Sequence, residues 1–317
     1  MNDTSGKIEI SLKGLRKSYG NTVALDGIDL NIPSGECYGF LGPNGAGKTT
    51  AMNIISTYLP ADAGLIVVGG VDAAQNPSGV RRMLGVVPQE ASLYEDLSAR
   101  ENILFFGGLY GIDKARLNKR TSELLNLLGL EERADDLVKR YSGGMKRRLN
   151  IACSLAHDPP VVLMDEPTVG IDPQSRNFIY EFIEGLSAQG RTIVYTSHYM
   201  EEVERLCHHV AIIDHGRIIA EGTKDELIEM VKGEDVVIIE LGDIAANVLK
   251  PMLNKYAKLS PMHEDGSIRF TGPGIHKDVP AFVKDLLDMG ITPKSVHIHE
   301  PNLETVFLKL TGRELRD

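Results

Sequence analysis

Gly42-Pro43-Asn44-Gly45-Ala46-Gly47-Lys48-Thr49 follows a short apolar stretch, Cys37 to Leu41, and precedes a helix-periodic segment from Thr50 to Tyr58. The octet fits G-x-x-x-x-G-K-[S/T] and stands where that pattern has mechanical meaning, between a strand and a helix. Glycines let successive backbone N–H groups converge on phosphate oxygens, and the helix that follows turns its positive end toward them. In such a loop Lys48 reaches the terminal phosphates and the Thr49 hydroxyl ligates Mg2+. The bland alternative is a Gly-rich turn with a chance lysine, and the strand–loop–helix context argues against it.

On the N-terminal side, Ile8, Ile10 and Leu12 alternate with polar residues. Leu15 to Tyr19 then leads into a Gly20-Asn21 turn, and Ala24 to Ile32 alternates again. A period of two predicts half-buried antiparallel strands. Between Ser92 and Leu155 the period becomes helical, with Leu124, Leu125, Leu127 and Leu128 at helix spacing and another helix start between Arg140 and Leu155. Residues 161–164, Val-Val-Leu-Met, form a continuous apolar run, the pattern of a parallel strand buried on both faces. Ile193 to Thr196 and Val210 to Ile213 read as further strands, with a helix from Gln174 to Ala188 between the first two. That rhythm makes an α/β domain with a largely parallel sheet. Asp165 ends the apolar run and suits a metal held through water, while Glu166 suits a general base for an attacking water. Many strands end in acids, so this pair gains its weight from the phosphate loop.

Tyr141-Ser142-Gly143-Gly144-Met145 opens a helix carrying Lys146, Arg147 and Arg148. It resembles the signature of ATP-binding cassette (ABC) ATPases, usually Leu-Ser-Gly-Gly-Gln, and stands before the 161–164 strand as in that family. Tyr141 and Met145 depart from the usual residues, whereas Ser142, Gly143 and Gly144, the phosphate-facing part, are kept. A plain helix cap is the alternative for the same residues. Gln89, in Val87-Pro88-Gln89-Glu90, resembles the Q-loop glutamine that touches Mg2+ and the attacking water. Val169-Gly170-Ile171-Asp172 resembles the D-loop, and His198 the switch histidine that contacts the γ-phosphate. Tyr19 stands where the family places an aromatic on the adenine, with packing in the β layer as its alternative.

The resemblance runs from Ile8 to Met230 and implies a P-loop NTPase fold: a parallel sheet core, an antiparallel β subdomain and a helical subdomain, forming an ABC ATP-binding domain over 1–232. It implies MgATP bound on Gly42, Pro43, Asn44, Gly45, Ala46, Gly47, Lys48, Thr49 and Thr50. Ser142, Gly143, Gly144 and Asp172 complete the nucleotide site, with Thr49, Gln89 and Asp165 at the metal. Glu166, His198, Lys48 and Gln89 take the catalytic roles. Ser142-Gly143-Gly144 cannot easily fold back onto its own phosphate loop, so the resemblance implies a head-to-tail pair, a homodimer or paired ATPase subunits, each signature capping the γ-phosphate held by the other chain.

Beyond a break at Lys232-Gly233-Glu234 the pattern changes. It reads as strand 235–241, helix 244–256, strand 257–262, a turn at Glu264-Asp265-Gly266, strand 267–271, helix 277–289, strand 293–298 and a last helix from Asn302. This βαββαβ order predicts a ferredoxin-like α+β accessory domain over 233–317. The ending from Pro301 to Gly312 resembles that of ATP-binding subunits of drug- and ion-export ABC systems, whose membrane domains are a separate polypeptide. The resemblance therefore implies an ATPase subunit that drives export by a separate permease. The permease would dock between Gln89 and Glu101, where Leu93, Tyr94 and Leu97 line a groove. The chain would be cytoplasmic and peripheral on the inner face of the membrane through that permease. A soluble ABC ATPase acting on ribosomes or DNA, or an importer subunit, are the alternatives. The single set of motifs and the absence of a long heptad run oppose the first, and the 301–312 ending opposes the second.

Composition bounds the rest. With 34 Lys and Arg against 44 Asp and Glu, the net charge is −10. This argues against a general nucleic-acid coat, which needs a basic face, and leaves room for a local basic patch. Lys146-Arg147-Arg148 is accordingly read as the solvated or phosphate-facing side of its helix rather than a nucleic-acid patch. No apolar run approaches the roughly 18–20 residues of a membrane span, and the first ten residues lack a signal-peptide core. Cys37, Cys153 and Cys207 form no metal spacing and read as buried free thiols. His297 and His299 share a strand face near Glu300, but no third ligand accompanies them.

Overall fold

In the computed structural model, which describes residues 8–231, 235–241, 255–256, 266–272, 274–299 and 302–311, two long strands open the chain. β1 (Ile8–Tyr19) and β2 (Thr22–Pro33) pair antiparallel across the Gly20-Asn21 turn. Their alternation buries Ile10, Leu12, Leu25, Ile28, Leu30 and Ile32. β3 (Cys37–Leu41) leaves for a second sheet, while β4 (Ala63–Val68) and β5 (Val71–Asp72) complete the first in the order β2-β1-β4-β5.

In the second sheet β6 (Leu84–Val87), β7 (Val161–Asp165), β8 (Thr192–Ser197) and β9 (His209–Asp214) run parallel with β3. β10 (Arg217–Thr223) closes one edge antiparallel, giving β10-β9-β3-β8-β7-β6. Every residue of β3, β7 and β8 is buried, as continuous apolar strands in a sheet covered on both faces must be. The order has a functional consequence. Because β3, β6, β7 and β8 are parallel, the segments leaving their C-terminal ends emerge along one edge, the usual ligand edge of an α/β sheet. Those segments hold Gly42–Thr49, Pro88-Gln89, Glu166 and His198. One apolar core, including Ile10, Leu12, Phe40, Met52, Leu163 and Val194, welds the two sheets together.

α1 (Lys48–Ile55) and α2 (Pro77–Met83) precede a helical layer of α3 (Ala99–Gly108), α4 (Lys114–Leu127) and α5 (Gly143–Ser154), which pack on one another. Ser98 and Glu101 start α3 with a reciprocal capping box. Leu124, Leu125 and Leu128 are buried, whereas Leu127 is exposed. α6 (Pro173–Ala188) and α7 (Met200–Leu206) flank β8 in the chain.

The chain divides into two compact units, the first reaching Thr223 and the second spanning Lys224–Leu315. In the second, α8 (Lys224–Glu229) is followed by β11 (Asp235–Glu240), β12 (Ser267–Gly272), α9 (Val279–Asp288), β13 (Ser295–His299) and α10 (Leu303–Thr311). β11 lies between β12 and β13, antiparallel to both. The strand expected over 257–262, and all but the last two residues of the helix expected over 244–256, lie outside the described residues. Val237, Ile239, Ile268, Phe270, Phe282 and Leu286 form the unit's core. Leu241 is buried with them, whereas Leu287 and Val296 are exposed. Val279, Phe282 and Leu286, at i, i+3 and i+7, take the inward stripe of α9, which turns Leu287 outward. The helix from Lys224, which the sequence places before the break at 232–234, belongs to this unit. α10 packs on it, and Leu227 and Val231 are buried. No helix among the described residues is long and apolar enough to cross a membrane.

Candidate functional site

The loop between β3 and α1 is wedged in place by its glycines. Gly47 has φ +111°, and a Cβ there would lie 2.5 Å from the Ala24 carbonyl oxygen. A Cβ on Gly42 would lie 2.3 Å from the Ile213 carbonyl oxygen. Any side chain at either position would push the loop off β2 or β9. No side chain caps α1, so nothing of that kind covers the N–H groups of its first turn. Lys48 is buried and its Nζ donates to Gly42 O at 2.7 Å and Pro43 O at 3.1 Å, while Thr49 is exposed.

Four sheet-edge segments meet at Glu166. Its Oε1 lies 3.1 Å from Lys48 Nζ and 3.1 Å from His198 Nδ1, and its Oε2 accepts from Gln89 Nε2 at 3.2 Å. Glu166 is 6% exposed and its backbone sits at φ +45°, a region costly for a side chain this long unless neighbours hold it. Its N–H donates to Thr196, to Oγ1 at 3.0 Å and to the carbonyl at 3.2 Å. The preceding Asp165 is equally buried, accepts from Thr196 Oγ1 at 2.6 Å, and forms no ion pair among the described residues. The Asp165 carboxylate, the Thr49 hydroxyl and the Gln89 side-chain carbonyl are all oxygen donors, the ligand type suited to a hard divalent cation.

At the start of α5, Ser142 caps the helix, accepting from Met145 N–H at 3.3 Å, and is exposed together with Gly143. Tyr141, the departure from the usual leucine, is buried and donates its hydroxyl to Arg133 O at 2.6 Å. The basic run behind them is not the solvated or phosphate-facing side that the sequence suggests. Arg147 is 4% exposed, donating to backbone carbonyls of 88–89 and 165–167. Arg148 donates to Leu128 O and lies over the Phe178 ring, and Lys146 pairs with Glu95. The signal that would have found Arg147 is its spacing. Gly144, Arg147 and Ile151 recur at i, i+3 and i+7 on one face, and all three are buried.

Asp172 caps α6 through Ser175 N–H at 2.9 Å, and that bond lowers its carboxyl pKa. Thr168, four residues before it, joins a network that the sequence did not reveal. Buried Glu202 accepts from Thr168 Oγ1 (2.6 Å), Tyr180 OH (2.8 Å), Ser197 Oγ (2.8 Å) and Tyr195 OH (2.9 Å). Burial and the Glu202 charge drive both tyrosine hydroxyls upward, which keeps them protonated donors. The network thereby ties the segment after β7 to Ser197, next to His198. Tyr19 ends β1 with half its surface exposed, paired with Thr22 at the start of β2, and Thr22 stands two residues before the Ala24 that abuts Gly47. Beyond Gln89, Leu93 and Leu97 are half-buried and Tyr94 exposed, its ring edge-on to Phe105 at 4.8 Å. The open groove nearby, about 520 Å³, is lined instead by residues including Tyr58, Val86, Pro88, Ser92, Phe106 and Tyr110. Among the described residues no cluster of three or more His, Cys, Asp or Glu forms a metal centre.

Known proteins are similar to this chain. Residues 25–169 match the family described as ABC transporter. The chain is 41% identical over 310 residues to the linearmycin resistance ATP-binding protein LnrL of Bacillus subtilis (strain 168), covering 97% of this chain and 100% of that protein. It is also 41% identical over 309 residues to the Nod factor export ATP-binding protein I of Ralstonia nicotianae, covering 97% and 95%. Among solved structures, the dimeric ATP-binding cassette MJ0796 in a post-hydrolysis state bound to ADP and Pi aligns with a TM-score of 0.62 and 27% identity. That alignment covers 68% of this chain and 98% of the cassette.

Proposed function

This chain belongs to the ABC transporter family as an ATP-binding subunit, and from that membership we propose how its residues divide the work. It binds and hydrolyses ATP to drive transport. The observation that carries the residue assignment is the convergence of Lys48, Gln89 and His198 on Glu166 within 3.2 Å. On this reading the phosphates lie along Gly42 to Thr50, with the adenine on Tyr19, and Lys48 exchanges its loop carbonyls and Glu166 for phosphate oxygens. Glu166 takes a proton from the water that attacks the γ-phosphorus. The bond to the bridging oxygen breaks, ADP leaves with that electron pair, and His198 and Lys48 balance the charge that develops on the phosphoryl oxygens. Thr49, Gln89 and Asp165 would hold Mg2+, which would supply further neutralisation of the phosphates.

Two copies, or two related subunits, close head to tail, each placing Ser142-Gly143-Gly144 and the Asp172 segment against the other's nucleotide. The dimeric cassette bound to ADP and Pi supports this arrangement by likeness. A separate membrane permease docks beside Gln89 to Glu101, where the groove at Pro88 and Phe106 and the exposed Tyr94 offer apolar contact. Export is the direction supported by relatives named for resistance and for Nod factor export. The second unit serves as an accessory domain. Vesicles holding this chain with its permease test the reading. ATP on the side of this chain is expected to drive cargo to the opposite side, and Glu166→Gln to stop it. ATP-driven movement toward the chain's own side, or hydrolysis in these vesicles that moves no cargo, would overturn it.

A further inference from the structure

Arg147 is a buried cation to which the assignment above gives no task. A guanidinium carries five N–H groups in a rigid plane, and here five carbonyl oxygens accept from it. Nε–H donates to Pro167 O at 2.5 Å. Nη1 donates to Pro88 O at 2.5 Å and Gln89 O at 3.0 Å, and Nη2 to Asp165 O at 3.2 Å and Glu166 O at 2.9 Å. These carbonyls come from two segments only, the one leaving β6 and the one leaving β7. The shell contains no carboxylate oxygen, and burial lowers the guanidinium pKa to about 10, which still leaves it protonated near neutrality. So costly a group is retained in full hydrogen-bond satisfaction, at a point where α5 reaches both segments.

We propose that Arg147 is the positioning residue that fixes Gln89 and Glu166 relative to each other from the signature helix. Displacement of α5 at Ser142 to Gly144 is thereby passed to the two side chains that address the attacking water. The proposal rests on the roles given above to Glu166 and Gln89. Its geometry is specific. Arg147 holds the carbonyl of the same Glu166 whose backbone sits at φ +45°, so releasing that bond frees the peptide to rotate and swing the carboxylate from Lys48 and His198. Lysine cannot substitute in full, because three donors on one atom cannot meet five carbonyls that a guanidinium reaches from three nitrogens in a fixed plane. Arg147 also stands one helical turn beyond Gly143, so both ends of the lever lie on one rigid turn.

The test compares Arg147→Lys and Arg147→Gln with the unchanged chain. Turnover is expected to fall on the order of 10- to 100-fold through misplacement of the reacting groups, while affinity for a non-hydrolysable ATP analogue stays near its starting value; the melting temperature falls as well, since buried carbonyls lose donors. In a Gln89→Ala background, Arg147→Lys is expected to cost little more, since both changes act through one set of groups. In the unsubstituted chain, which needs no variant to fold, hydrogen exchange with and without the analogue is expected to protect 142–147, 88–90 and 165–167 as one set. Normal turnover in Arg147→Lys overturns the proposal. So does parallel loss of turnover, affinity and melting temperature, which marks a purely structural role, and so does independent protection of the three segments. Survival of hydrolysis in Lys48→Ala and Glu166→Gln is a different result, since it removes the underlying site assignment instead.

Discussion

A glutamate at φ +45° with Lys48 and His198 on one oxygen and Gln89 on the other is held for a task, and replacing only its basicity isolates that task. Glu166→Gln keeps the size and one acceptor but cannot take a proton. Hydrolysis is expected to fall on the order of 100- to 10,000-fold, the usual span for a lost general base, with ATP still bound. Size exclusion at high ATP should then show a nucleotide-bound dimer accumulating, and a persistent monomer would contradict the head-to-tail pair. Lys48→Ala strikes the other partner. It leaves buried Glu166 without its cation and the terminal phosphates without theirs, so both binding and turnover should fall, turnover by roughly 100-fold or more. Near-normal ATPase activity would remove the phosphate-loop assignment. Lys48 could be singled out because a phosphate loop fixes spacing along the chain itself, Glu166 because it closely follows a continuous apolar run in a chain with that loop, and Gln89 and His198 only through the family resemblance. Arg147 was not, because three consecutive basic residues invite a reading by charge, while burial is decided by helix face. Only one of the three points inward.

The helix-opening serine allows a test at the scale of the element. Ser142→Arg removes the α5 cap, worth about 1 kcal/mol, and adds bulk at an exposed helix start. Ser142→Ala removes the cap alone and is the control. The arginine variant should still bind ATP on its own phosphate loop, yet mixing it with Lys48→Ala should restore some hydrolysis, since one site of the mixed pair keeps both halves intact. Complete silence of the mixture would favour a site built within one chain, or a need for both sites. A second element-level test concerns the turn after α5. His157 stacks on Tyr110 at 3.6 Å, donates Nε2–H to Leu84 O, and its Nδ1 is buried without a hydrogen-bond partner. A proton there would be a buried donor with no acceptor, and burial accordingly lowers the pKa from 6.5 to about 4. The unfolded chain therefore binds this proton first. Stability from the neutral ring is full above pH 6.5 and is lost as pH falls from 6.5 toward 4. Denaturant midpoints at pH 7.5 and 5 should differ less in His157→Gln than in the unchanged chain; an equal difference would absolve this histidine. Strands and helices with strict periods were legible, β1, β2, β7 and α6 among them. His157 was not, because nothing in sequence announces which ring stacks on which.

At the scale of the whole molecule, the place where the chain divides decides how it can be shortened. No phosphate-binding motif lies beyond Met230, so the nucleotide chemistry should survive without the second unit, but the cut matters. The change of pattern at 232–234 suggests a chain ending at Gly233. That chain would keep α8 yet lose α10, and Leu227 and Val231, each 1% exposed, would face water. Each such side chain forfeits about 1.5–3 kcal/mol of burial and adds an apolar patch. A chain ending at Thr223 stops at the end of β10, which stays paired with β9, and bares no part of α8. The shorter chain should therefore be the better behaved of the two, monodisperse and with ATP affinity like that of the full chain, while the chain ending at Gly233 associates nonspecifically. Both should assemble or transport less well if the second unit stabilises the pair. That role is favoured over ligand sensing because such small α+β units pair readily through their sheets. Titration of a fluorescent nucleotide and size exclusion on both chains decide the matter. Loss of nucleotide binding in the Thr223 chain, with its circular dichroism intact, would mean that the second unit contributes to the ATP site and that the division into an ATPase and an accessory part is wrong.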